Sequence, residues 1–442
     1  MITRLRALWA SINASYWFYP AMFSIIALVL AFGSVWADRA GHAEFLRDVK
    51  WLELARPQGA SNMLTVMAGS MIGVASTVFS ITIAAVAYAS GNYGPRLLTN
   101  FMEDKGNQFS LATFIATFVF SLTVLGFVRT GEEQALFASV GNEAGIPGFV
   151  PQLSLLIAYV LMSLSVAVLV FFLNHIPASI RINTVLEGIG KRLIGHIQHN
   201  YPDKNTGRVE HQSPEGKAVC ATGNGYIQII DYEGLHSIAD RVDGRIKLAV
   251  RTGAFVHSDM ALAYWAGDNP PDDCGDEVRD CFALGGMRTP GQDIHFLIDE
   301  LVEIGLRALS PGINDPFTAI TAMHWLGAAT SELGGRDLTR KFGGAENANN
   351  DRLVLLDDDF DHYVARGFGT LRSGTATSPA AASVELEVLY DISVTLDDES
   401  RHADLLREGD RLMEQAREHL AGPSLQELEA EHVVFSQKMR GG

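Results

Sequence analysis

A chain of 442 residues has room for two or three domains, and a formal net charge of −17 argues against nucleic acid or an anionic lipid surface as the partner of its charged part. The apolar share of 48% is only slightly high, but it is unevenly placed: the stretches 7–37, 57–95, 106–128 and 144–180 contain no Asp, Glu, Lys or Arg. Residues 1–174 carry nine basic and nine acidic side chains, so the whole net charge falls on 175–442.

Each uncharged stretch holds a run near the roughly 20 residues that cross a bilayer as a helix. Spans are expected at about 17–36, 64–90, 108–128 and 153–174, with Trp17, Tyr19 and Trp36 at interfacial positions. A cleaved leader fits the first run poorly, because it is too long and GSVWAD is a poor cleavage site. Between the first two spans, FLRDVKWLELAR at 45–56 puts Phe45, Val49 and Leu52 on one side, as a short interfacial helix would. Four spans put both termini on one side. Arg4, Arg6, Arg96, Lys105, Arg181, Lys191 and Arg192 then outnumber Arg39, Arg47, Lys50, Arg56 and Arg129, which favours cytoplasmic termini. Cys220, Cys274 and Cys281 show no zinc-ligand spacing and suit a reducing compartment.

The second span carries a pattern. Gly69, Gly73, Ser76, Thr77, Ser80, Ala84, Ala87 and Gly91 recur every three or four residues, which gathers them on one helix face. Such a stripe lets helix backbones approach closely in lipid. It also suits the lining of a pore in an oligomer, where small and hydroxylated side chains leave room for water and ions. Arg96 and Arg129, at span ends, fit either headgroup anchors or charged rings at a pore mouth. No ionisable residue lies within the four spans, which argues against proton-coupled transport and voltage sensing but leaves a passive conduit open.

Past the spans the pattern changes twice. A connecting helix and loop are expected over 176–216, then short alternating runs separated by Gly-containing turns over 217–267. The latter read as a small β-barrel interrupted by one helix near 233–242. Within it, the run from Gly253 to Leu262 partly resembles the second half of a biotinyl or lipoyl barrel. It offers His257, Ser258 and Asp259 where a carrier needs Lys, which leaves a structural role. From 275 to 442 a helical domain is expected, with linkers at 343–351 and 372–381 and closing helices at 382–397, 402–421 and 424–438. The acidic knot of Asp357, Asp358, Asp359 and Asp361 lacks the Gly and terminal Glu of an EF-hand loop and reads as a solvated helix start.

The helix expected over 293–309 places His295, Asp299, Glu303 and Arg307 at i+4 intervals on one face. Two carboxylates and an imidazole so placed suit a divalent metal or acid–base work. They equally suit an ion-paired polar face that ends in a cation. The following RALSPGINDPFTA (307–319) follows turn rules. Pro311 and Gly312 fit the centre of a type II turn, Asp315 an N-cap, Pro316 the first position of a helix over 316–333, and Ile313 a hydrophobic staple. Those rules leave Asn314 without a part. His295, Asp299, Glu303, Asn314 and Asp315 are therefore the candidate ligand residues. No Walker loop, dinucleotide Gly motif, nucleophile elbow or Cys/His cluster is present, so no cofactor is expected, and an enzyme, the third reading, would require those same residues to converge on a metal or bound substrate.

The run GQDIHFLIDELVEIGLRALSPGINDPFTA (291–319), with FSITIAAVAYASGNYGPRLL (79–98) and GYIQIID (225–231), resembles a bacterial family of predicted inner-membrane proteins of unknown function with an ALSPGINDPFTA-type signature. Gly94 departs from it where the family's element has Ser. The resemblance implies a multi-pass protein of the bacterial inner membrane and supplies no activity. The expected architecture is a four-helix transmembrane domain over 1–175, joined to a cytoplasmic α/β domain. Two functions fit. One is a homo-oligomeric ion channel or passive conduit with the small-residue stripe on its axis. The other is a membrane-anchored sensor or scaffold that binds an ion, small ligand or partner protein.

Overall fold

The structure, a computed structural model, describes residues 15–40, 57–94, 104–129, 149–203, 216–266, 274–338 and 352–441. The expected interfacial helix over 45–56, Arg96 and the linker at 343–351 lie outside them. Contacts divide the described chain into two compact units, one built by the first four helices and one from residue 182 onward.

The first unit contains α1 (Phe18–Arg39), α2 (Pro57–Tyr93), α3 (Lys105–Leu125) and α4 (Gln152–Ser179), all long and apolar enough to cross a membrane. They bury polar and hydroxylated groups alongside Leu64, Phe114, Phe120 and Phe172, and leave many large apolar side chains outside, as a lipid environment allows. Ser34, Asn107, Gln108, Thr117, Ser121, Ser154 and Ser165 are buried, whereas Ile25, Val29, Val66, Phe79, Val160, Val170 and Leu173 are exposed. Hydroxyl pairs link the helices, Thr117 to Ser165 at 2.9 Å and Ser154 to Ser34 at 2.9 Å. At one end of α1, the Asp38 carboxylate accepts from the backbone N–H of Leu153 and Ser154 and from the Ser154 hydroxyl. It thereby satisfies the orphan donors that open α4, which its own N-cap position, Pro151, leaves without a side-chain bond. Asp104 caps α3 and sits 2.7 Å from His175 Nε2.

The second unit opens with α5 (Ile182–Asn200), which buries Leu186, Ile189, Leu193 and Ile197 along one stripe. β1 (Lys217–Cys220), β2 (Gly225–Ile230), α6 (Tyr232–Arg241), β3 (Arg245–Leu248), β4 (Phe255–Val256) and β5 (Ala261–Ala266) follow, then α7 (Cys274–Asp280) and β6 (Phe282–Gly285). After these come α8 (Ile294–Ala308), α9 (Pro316–Gly334), β7 (Leu353–Val354), α10 (Phe360–Val364), a π-turn (Ala365–Gly369) and α11 (Thr370–Thr375). The chain closes with α12 (Pro379–Val394), α13 (Glu399–His419) and α14 (Pro423–Gly441).

The strands do not close into a barrel. They form a four-stranded sheet of order β1-β5-β3-β7 and a three-stranded sheet of order β4-β2-β6. Two strands come from outside the predicted segment: β6 pairs antiparallel with β2, and β7 pairs parallel with β3. Residues 275–442 are accordingly not all helical, and 372–381 is no linker but the end of α11, a turn and the start of α12. Both sheets share one core with α6 and α7, filled by Ile227, Ile230, Leu235, Ile246, Leu248, Val256, Trp265, Val278 and Phe282. Cys281 lies in that core, and burial pushes its thiol up to about 12, so it is inert at neutral pH.

Among the closing helices, Glu385 on α12 is fully buried. Burial pushes its carboxyl up to about 8; Glu408 adds to the shift, and Thr375 and Arg372 oppose it. The folded chain thus holds a proton that the unfolded chain gives up above the ordinary value of 4.5. Stability therefore falls as pH rises from there to about 8. Glu385→Gln keeps the shape without the proton. It should make α12 more resistant to unfolding than the parent at about pH 8, and flatten its response between about pH 5 and 8. Hydrogen exchange of the α12 amides checks both effects.

Candidate functional site

The chemistry-bearing residues of the second unit converge where α8 meets the turn after β3 and the segment that enters α10. Asp293 is the N-cap of α8 and accepts from the Phe296 N–H at 3.1 Å. Its other oxygen takes Arg288 Nη2 at 2.6 Å and Nε at 2.9 Å. Arg288 reaches on to Asp299 at 2.6 Å, and Arg366 meets the same Asp299 oxygen at 2.8 Å. Burial alone would lower the Arg288 guanidinium; the two carboxylates outweigh it and raise it further, so the charge is fixed.

The segment before α8 is pinned to the sheet. The Gln292 amide accepts from Ile230 N–H at 2.9 Å and donates to Ile230 C=O at 3.2 Å, as an added strand residue would. Thr252 Oγ1 donates to Gln292 C=O at 2.8 Å. This approach dictates Gly253: its φ is +82°, and a Cβ there would lie 1.9 Å from Asp293 Oδ2.

Three further groups complete the site. His295 Nε2 is 3.1 Å from His362 Nε2 and 3.4 Å from Asp358 Oδ2, while His362 Nε2 is 3.7 Å from Asp358 Oδ1. Arg251 Nη1 donates to both Asp358 oxygens at 2.5 Å. Burial would raise the Asp358 carboxyl, but hydrogen bonds from His295 and Arg251 hold it well below the usual carboxylate range. Burial pushes His362 below the ordinary imidazole value, and the Asp358 carboxylate only partly offsets this. Tyr363 stacks on His295 with ring centroids 5.5 Å apart and meets the Tyr201 hydroxyl at 2.5 Å. A cavity of about 360 Å³ opens beside the cluster, lined in part by Arg251, Arg288, Asp293, His295, His362 and Arg366.

The predicted ligand residues divide. His295 lies in the cluster. Asp299 lies beside it as an ion-pair partner. Glu303 is two turns of α8 beyond His295, outside the residues that line the cavity. Asp315 is the N-cap of α9, accepting from Thr318 N–H and Oγ1. The expected type II turn is corrected: Gly312 does not take positive φ, whereas Asn314 does, at +50°. Ser310 C=O accepts from Ile313 and Asn314 N–H, so Asn314 is the left-handed residue that turns the chain into the α9 cap. Ile313 and Phe317 both stay exposed.

The functional groups missed in the sequence are Asp358, His362, Arg251, Arg288 and Arg366. The acidic knot held the signal: Asp359 is an exposed N-cap, as a solvated helix start requires, but Asp358 beside it turns inward.

In the first unit, Gly69, Gly73, Ser76, Thr77, Ser80, Ala84 and Ala87 are not among the buried residues of α2. The face of α2 used for packing carries Leu64, Met67, Met71, Ala75, Val78 and Thr82 instead. A Cβ on Gly69 or Gly73 would meet open space. Arg129 is exposed, and its N–H bonds to Phe149 C=O at 3.1 Å.

The model of a family described as Predicted membrane protein (DUF2254) matches residues 13–391. Uncharacterized protein Mb1321c of Mycobacterium bovis and uncharacterized protein Rv1290c of Mycobacterium tuberculosis are each 28% identical over 416 residues, covering 91% of this chain and 76% of theirs. No solved structure matches.

Gly253→Ala should break the Asp293 cap and strain the turn, destabilising the first turn of α8 by about 1–3 kcal/mol. Faster amide exchange at Phe296, with the first four helices unchanged, is the expected reading.

Proposed function

The chain belongs to this predicted membrane protein family, and we propose that it is a membrane-anchored sensor whose second unit binds a small charged ligand beside α8. The observation that carries this reading is the 360 Å³ cavity, lined by three arginines and two histidines that are held by buried Asp293 and Asp358 and half-buried Asp299. A surface ion-pair network needs no such space. Here Asp293, Asp299 and Asp358 hold the cations at the wall while one side stays open, the form of a preorganised binding site. In this reading the protein sits in the bacterial inner membrane with both termini and the acidic unit in the cytoplasm, on the excess of basic residues at that side of the spans.

The test works with the ligand unidentified. Full-length protein in lipid nanodiscs is compared as isolated and after dialysis against chelator and high salt. Stripping should raise hydrogen exchange at 251–254, 288–295 and 358–366, and leave α1, α3 and α4 unchanged. Identical exchange before and after would contradict the reading.

A second reading, a homo-oligomeric passive conduit, is favoured by the exposed small-residue face of α2. Copies of this chain would close that face around an axis, with Thr77 and Ser80 toward water and Arg129 near one mouth. Gly73→Cys should then cross-link between chains in membranes, and planar-bilayer conductance should change with Thr77→Val. Monomeric protein without conductance would rule it out.

A further inference from the structure

We infer that His295, Asp358 and His362 form a mononuclear site for a zinc-class divalent transition metal, with one coordination position open to the cavity. The inference names the ligand class for the site proposed above and rests on that reading for its biological role; the binding chemistry stands on the geometry alone.

The three residues come together from two places. α8 supplies His295, while Asp358 and His362 stand four residues apart at the start of α10. Among the described residues they are a group of metal-ligating side chains whose donor atoms all lie within 4.8 Å of one another. A tetrahedral ion with bonds of about 2.0–2.1 Å separates neighbouring ligand atoms by about 3.3 Å. The two Nε2 atoms are 3.1 Å apart, and they lie 3.4 and 3.7 Å from different oxygens of the Asp358 carboxylate, so one carboxylate oxygen with the two nitrogens gives a slightly wider set that an ion would draw together. Both imidazoles present Nε2 to the shared point. A direct hydrogen bond between two neutral imidazoles satisfies one donor and one acceptor, but it does not require a carboxylate at the same point.

The surroundings match what a metal site needs outside its ligands. Arg251 holds both Asp358 oxygens and so fixes the carboxylate's direction. Tyr363 stacks at 14° on the His295 ring and sets its plane. Asp293 Oδ1 stands 3.9 Å from His295 Nδ1, an electrostatic neighbour of that nitrogen beyond hydrogen-bond distance. Imidazole-rich sets of this kind select zinc-class ions over magnesium and calcium, which take oxygen shells. Because His295, His362 and all three arginines also line the 360 Å³ cavity, the open position faces guanidinium groups that are held by Asp293, Asp299 and Asp358. A small anion bound to the metal would be held there by guanidinium groups.

Chelator-treated full-length protein in detergent is titrated with Zn²⁺ against a chromophoric chelator. One ion per chain is expected, undisturbed by excess Ca²⁺ or Mg²⁺. His295→Gln and His362→Gln should each weaken binding by about 100-fold or more. His362 is partly exposed, so its variant tests the site even if the buried His295 variant fails to fold. Asp276→Asn, at an exposed carboxylate on α7, should leave affinity unchanged. Substoichiometric uptake, uptake unaltered by His362→Gln, or uptake that calcium displaces would each overturn the inference. If stripping alters exchange at the cavity but Zn²⁺ neither binds nor restores it, the metal assignment falls and the sensor reading stands.

Discussion

The second unit depends on one carboxylate. Asp293 satisfies an open backbone donor of α8, takes two nitrogens of Arg288, and requires glycine at position 253 because no other residue has room. A capping side chain is ordinarily a solvated group worth about 1 kcal/mol. Asp293 is only 1% exposed, so its charge must be matched inside the protein. That need propagates: Arg288 calls for Asp299, and Asp299 then accommodates Arg366. The alternation of acids and guanidinium groups fixes α8 against the turn at 251–254 and against the π-turn after α10. The two imidazoles are placed as a consequence.

The same logic, with opposite surroundings, governs the first four helices. Lipid offers no hydrophobic force between helices, so their contacts rely on close packing and on hydroxyl and carboxylate bonds. Asp38 at the end of α1 replaces the missing cap of α4, and Asp104 is the N-cap of α3 while meeting His175. Each is a charged group at a helix end rather than mid-span, where its cost is lowest. The small-residue face of α2 takes no part in this packing among the described residues.

Much of the architecture was legible because its signals are local. Long uncharged runs reveal the four membrane helices; α8 and α9 follow from their periodicity and from Asp315-Pro316. What failed was non-local. β6 and β7 are four and two residues long, too short to show alternation, and each becomes a strand only by pairing with β2 or β3. At 310–315 Pro-Gly is a strong local signal for a type II turn, yet the left-handed residue is Asn314, which tolerates that region better than most. At the site, the i+4 spacing pointed to His295 and Asp299 but could not supply their partners. His362 and Asp358 lie more than 60 residues away, and Asp358 was hidden in a run of acids whose other members serve as cap and surface. Burial, which separates Asp358 from Asp359, is not written in either residue's local sequence.

The central claim is that the charged network delivers two imidazoles and one carboxylate to a single point. X-ray absorption at the zinc edge, on full-length protein loaded with one equivalent of Zn²⁺, tests it most directly. The account predicts a four-coordinate shell of nitrogen and oxygen at about 2.0–2.1 Å, with the outer-shell scattering of two imidazole rings. A shell of oxygen ligands without imidazole scattering would contradict it.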